Sequence, residues 1–146
     1  MYMPLLFSKR VIVLVCLTSF ACVADEQGNV RILAEKLLEA SGRNRGVCAM
    51  LGEHDELALE LARMSEMSLH VLTQSDDHAA SLRQKAESAG YAVPRFAVER
   101  GRTDKLPYVN NLIDILVARG ANTDWNIEEM LRVVRPNGTV FFVGTP

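Results

Sequence analysis

A short apolar run closed by glycines, Gly46-Val47-Cys48-Ala49-Met50-Leu51-Gly52, constrains this chain more than any other stretch. An apolar run without polar alternation favours a strand buried on both faces, as in a parallel sheet covered by helices. Gly52 ends the run. Leu57, Ala58, Leu61 and Ala62 then recur at helical spacing, with Asp55 as the expected N-cap of a helix over 55–65. A strand, a glycine turn and a helix N-terminus in succession make a place where free backbone N–H groups can meet a nucleotide-like ligand.

The same alternation continues along the chain. An amphipathic helix over 29–40, carrying Val30, Leu33, Leu37 and Leu38 on one side, precedes the first strand and ends at Ser41-Gly42. A second strand is expected over 69–72, and Ser75-Asp76-Asp77 starts a helix whose acids complement its positive end. That helix turns Ala79, Leu82 and Ala86 inward and stops at Gly90. A third strand follows Pro94 over 95–99, a loop covers 101–111, and a fourth strand covers 112–118 with one acid, Asp114. A helix over 125–134, capped by Thr123 or Asp124, leads through the turn 135–138 to a fifth strand over 139–143. Alternating strands and helices imply parallel strands joined by right-handed crossovers.

With 146 residues and 49% hydrophobic content, the chain is sized for one domain. A net charge of −2 without a basic stripe argues against a nucleic-acid partner. Residues 1–24 read as a signal peptide: Lys9-Arg10 form the positive region, 11–21 the apolar region, and Cys22-Val23-Ala24 the cleavage site. The apolar run is shorter than the ~20 residues of a spanning helix, so no stable membrane insertion is expected. Export to the periplasm or outside the cell follows. Removing Lys9 and Arg10 lowers Lys plus Arg from 16 to 14 against 18 acids, so the mature domain, 25–146, carries −4. Cys16 and Cys22 leave with the segment. Cys48, alone in a core strand, reads as a small hydrophobe.

Other chemistries find little support. Glu53-His54-Asp55-Glu56 are adjacent rather than at metal-ligand spacing, and read as a solvated helix start. His70 and His78 are isolated, and no Gly-x-Ser-x-Gly surrounds Ser65, Ser68 or Ser75. No Gly-x-Gly-x-x-Gly is present. Trp125 at a helix start reads as packing.

Several segments together carry a resemblance. They are the Leu51-Gly52 turn, Leu106-Pro107-Tyr108-Val109-Asn110-Asn111-Leu112-Ile113-Asp114, and Glu129-Met130-Leu131-Arg132-Val133-Val134-Arg135-Pro136-Asn137-Gly138. In their order and spacing they resemble the class I S-adenosylmethionine-dependent methyltransferases of the small-molecule type. The resemblance implies an α/β three-layer sandwich, Rossmann-like, with a mostly parallel sheet of order 3-2-1-4-5. It also implies that S-adenosylmethionine lies over the C-terminal ends of strands one and two. The family's further helix and antiparallel hairpin would come after Pro146, so the chain is expected to belong to a longer protein.

Carried over residue by residue, the donor-binding positions are Leu51, Gly52 and Glu53 at the turn, Thr73 and Gln74 after strand two, and Arg102 and Asp104 after strand three. The pattern departs from the family at five places. Met50 stands where strand one ends in an acid, and His54 and Glu56 stand at two glycine positions. Thr73 replaces the ribose-binding acid, and Arg102 the acid near adenine. Two functions are therefore expected. One is a non-catalytic recognition or structural module of a larger exported protein, with an eroded donor site. The other is an active methyltransferase acting on an unknown small molecule. Partners are accordingly a small molecule or further domains of the same polypeptide.

Overall fold

The computed structural model describes residues 10–14, 26–119 and 125–144. The elements in chain order are β1 (Arg10–Leu14), α1 (Glu26–Ser41), β2 (Arg45–Leu51), α2 (Asp55–Met64) and β3 (Glu66–Thr73), then α3 (Asp76–Ser88), β4 (Phe96–Arg100), β5 (Ile113–Arg119), α4 (Ile127–Val133) and β6 (Val134–Val143). They form one sheet of order β1-β6-β5-β2-β3-β4 in which every pairing is parallel. The five expected strands are β2 to β6, and their expected order 3-2-1-4-5 is the run β4-β3-β2-β5-β6.

Alternate residues of β2, β5 and β6 feed two cores, while β3 and β4 contribute mainly to the first. Cys48, Met50, Leu69, Val71, Val117 and Phe141 point to the face covered by α1, α2 and α3. Ala49, Leu51, Leu116, Val140 and Phe142 point to the face where α4 packs with Met130 and Val133. Burial on both faces is why residues 47–51 of β2 and 115–118 of β5 read as unbroken apolar runs. The second face is covered by a helix only over part of its width. Across β3 and β4 it turns polar, with Ser68, His70 and Glu99, and only the connection 101–112 lies over it. That polarity explains why β3 runs from Glu66 to Thr73, longer than the apolar segment 69–72 suggests.

Other differences are local. α2 is capped by His54, not Asp55, with no side-chain cap bond. Asp55 instead turns its carboxylate to α3, where His78 and Lys85 meet it. α3 starts as expected, the Ser75 hydroxyl accepting from His78 N at 3.2 Å. Asn126 caps α4; Thr123 and Asp124 lie outside the described residues. The expected turn 135–138 is looped out inside β6: Val134 pairs with Ile113, and pairing resumes at Thr139 with Ile115. Asn137, at φ +64, takes the left-handed conformation this loop requires.

The edge beyond β6 also differs from expectation. β1, drawn from the segment read as a signal peptide, pairs with β6 from Arg10↔Thr139 to Leu14↔Val143. The edge that a family hairpin would occupy is thus covered by a parallel N-terminal strand. The rest of residues 1–24 lies outside the described residues.

Asp114 ties the sheet together beneath the crossover. Its buried carboxylate accepts from Val47 N at 2.9 Å and from Arg135 Nη1 at 2.9 Å, with Arg43 Nη1 at 3.4 Å. Gly46 is at φ +123 beside it, and a Cβ there would sit 2.2 Å from the Asp114 Oδ2.

Candidate functional site

In an open parallel sheet, ligands sit outside the carboxyl ends of the strands where the connections diverge, here between β2 and β5. Leu51 is fully buried at the end of β2, and Gly52 follows at φ +98. Its N–H donates to Leu72 O at 3.0 Å, which folds the turn back against β3. Only glycine takes this φ without strain, and a Cβ would meet the Arg119 Cβ at 3.4 Å. Glu53 and His54 then enter α2.

Arg119, the last residue of β5, crosses this turn. Its guanidinium donates to Glu53 O, and its own carbonyl accepts from Trp125 Nε1 at 2.9 Å. Sequence reasoning passed over Arg119; the available signal was a single basic residue closing the apolar stretch 115–118. The cation also acts on His54. Burial first, and then Arg119, hold the His54 imidazole down at about 4, so the ring is neutral. His54 is nearly buried, and its Nε2 has no hydrogen-bond partner. Alongside, burial raises the Asp55 carboxyl, but bonds from Lys85 and His78 outweigh this and leave it below its ordinary value.

The expected ribose position lies at the end of β3. Thr73 is buried, and its hydroxyl accepts from Ser75 N at 3.3 Å. Gly101 N donates to Thr73 O at 2.9 Å, drawing the end of β4 in beside it. Gln74, Arg102 and Asp104 come together around an open cleft of about 630 Å³ with Arg100, Gly101 and Thr103. Gln74 Nε2 donates to Thr103 Oγ1 at 3.1 Å, and Arg102 Nε to Asp104 Oδ1 at 2.9 Å. The expected site residues therefore fall into two groups, Leu51-Gly52-Glu53 at the β2 turn and Gln74-Arg102-Asp104 beyond β3, with Thr73 closed between them.

The segments that carry the family resemblance are joined directly. Leu106 N donates to Glu129 Oε2 at 3.0 Å, and Arg132 donates to Tyr108 O at 2.8 Å and Leu106 O at 3.1 Å. Arg132 and the Leu106 N–H hold the Glu129 carboxyl down at about 2. The helix of one segment thus fixes the loop of the other.

Among the described residues, no group of three or more His, Cys, Asp or Glu is arranged to hold a metal ion, and no helix is long and apolar enough to cross a membrane.

The fold defined by this sheet is that of the class I S-adenosylmethionine-dependent methyltransferases. A Methanococcus maripaludis protein assigned as such a methyltransferase superposes with a TM-score of 0.68 at 23% identity, covering 80% of this chain and 56% of that one. The [4+2]-cyclase SpnF superposes with a TM-score of 0.68 at 22% identity, covering 81% and 46%. Geranyl diphosphate methyltransferase, solved with S-adenosylmethionine, gives 0.65 at 15%, covering 76% and 48%. The chain spans about half the length of these proteins. No protein-family model and no curated protein matches the sequence.

Proposed function

We propose that this chain is a methyltransferase-like domain that has lost tight binding of the methyl donor and serves as a non-catalytic recognition or structural module of a larger exported protein. The observation that carries this reading is the closed end of β3: the Thr73 hydroxyl is buried and engaged by its own chain, where a ribose diol needs a facing carboxylate. Met50 and Arg102 remove two further carboxylates, and the Arg119 guanidinium lies across the turn that a sulfonium-bearing donor would approach. Each lost charge-assisted bond weakens binding by about 1–2 kcal/mol. Together they amount to roughly two to four powers of ten in affinity.

Calorimetry of the full chain with S-adenosylmethionine and with S-adenosylhomocysteine is expected to give dissociation constants of about a millimolar or weaker. Micromolar binding of either would overturn this reading. It would favour the second one, an active methyltransferase on a small molecule, which the intact positive-φ turn at Gly52 supports. The SpnF superposition is a reminder that the fold does not fix methyl transfer as the activity.

Export rests on Lys9-Arg10 and the apolar run behind them. It makes a separate prediction, because cleavage after Ala24 would remove β1 from the edge of β6. Protein recovered from the secretory route of a bacterial host is expected to have Asp25 as its first residue by intact-mass measurement. A mass that retains residues 1–24 would instead mean that the segment bearing β1 is not removed.

A further inference from the structure

The part of the sheet left without a helix holds a second concavity, on a face of β3 and β4 rather than at the strand ends where Gln74, Arg102 and Asp104 gather. Its volume is about 350 Å³, room for about ten non-hydrogen atoms at liquid-like density. Val47, Pro94, Ala97, Pro107 and Leu112 supply apolar walls. Leu112 in the lining is 41% exposed, and Val93 and Val109, chain neighbours of the lining residues Pro94 and Tyr108, are 77% and 68% exposed.

The polar groups inside are ordered from one side. His70 Nδ1 is hydrogen-bonded to the Tyr108 hydroxyl, and the two rings meet edge to face with centroids 5.3 Å apart. The other imidazole nitrogen, Nε2, lies 3.6 Å from Glu99 Oε2. An N–H facing a carboxylate fixes the tautomer, leaving Nδ1 to accept from the phenol. Burial keeps the imidazole more acidic than usual and the phenol protonated. His70 and Tyr108 therefore satisfy each other. Glu99 faces the imidazole Nε2–H at 3.6 Å, longer than a full hydrogen bond, and its carboxylate stays largely exposed at the mouth of the cleft, open to a second partner. No lysine or arginine lines the cleft. An apolar slot with one largely exposed carboxylate at its mouth is complementary to a cation that carries a compact apolar body.

We infer that this cleft, formed by Val47, Ser68, His70, Glu99, Tyr108 and Leu112, is a binding site for a small organic ammonium, its charge on Glu99 and its apolar part under the 107–112 loop. The site is independent of the donor crevice and does not rest on whether the methyl donor binds. A transition metal is a poorer fit, since only His70 and Glu99 here are metal-ligating types.

Benzylammonium, benzyl alcohol and benzoate share one apolar body and differ in charge, and each is titrated into the isotopically labelled full chain. Benzylammonium is expected to shift the His70 and Tyr108 resonances saturably, and to bind about fivefold tighter than benzyl alcohol, the scale of one exposed ion pair. Benzoate is expected to be weakest. Glu99→Gln should abolish the preference for the cation while leaving the fold intact, and Ser68→Leu, which fills the floor, should abolish binding of all three. Equal binding of amine and alcohol, a preference that survives Glu99→Gln, shifts centred on Gln74 to Asp104, or no saturable binding would each overturn the inference.

Discussion

Replacing His54 with leucine is expected to remove most of the loss of stability that the protein suffers between pH 6.5 and pH 4. His54 is neutral and almost buried, with Nε2 unpartnered, and its pKa falls from 6.5 to about 4 in the fold. The unfolded chain, whose histidine titrates near the ordinary value, binds the proton more readily. Stability is therefore full above about pH 6.5 and declines as pH falls towards 4, because protonation favours the unfolded state there. Such a shift is worth at most about 3 kcal/mol across the window. Urea midpoints at pH 7, 5.5 and 4.5 should fall steeply for the native protein and much less for His54→Leu. Burial also lowers His70, so a residual slope of the same sign is expected. At pH 7 the leucine variant should be as stable or more so, since it removes an orphaned buried polar atom and no side-chain cap bond is lost. An unchanged slope in the variant would place the acid sensitivity elsewhere.

Asp114→Ala is expected to destabilise the protein by about 3 kcal/mol, the low end for breaking a buried ionic network, because Arg43 and Arg135 retain partial access to water. The substitution strands the Val47 N–H and leaves two guanidiniums facing each other across the former carboxylate. Gly46→Ala should cost about as much by a different route, combining a strained φ of +123 with a Cβ 2.2 Å from Asp114 Oδ2. The double variant should be less destabilised than the sum of the two, since the alanine at 114 clears the space that the new Cβ needs. Strict additivity in denaturant melts would mean that the two residues do not form one clamp.

Much of the architecture was legible because parallel strands covered on both faces leave a strong local trace. Residues 47–51, 115–118 and 140–143 are apolar without alternation, and Gly42, Gly52 and Ser75 mark helix and strand ends and caps as expected. What escaped was decided by contacts distant in sequence. Residues 11–14 look alike whether they serve as a hydrophobic targeting core or as an edge strand, since both need only a short apolar stretch. β3 was undersized because Glu66, Ser68 and His70 face the part of the sheet without a helix, where polar residues are tolerated in a strand. The cap of α2 shifted by one residue because Asp55 is claimed by His78 and Lys85 from the next helix. For the site, the turn at Leu51-Gly52 was readable from its glycine. Arg119 was not, since its role depends on β5 lying beside β2.

The pairing of β1 with β6 joins residues 129 apart, from Arg10 to Thr139, so the first described strand to leave the ribosome docks against the last described one. Contacts of such separation form late, after shorter loops have closed. Throughout synthesis the N-terminal segment has no ladder to join and stays free for any receptor that recognises nascent chains. On the proposed export reading, its fate is a race between capture during translation and strand docking once residues 139–143 emerge. The outcome depends on elongation speed as much as on affinity.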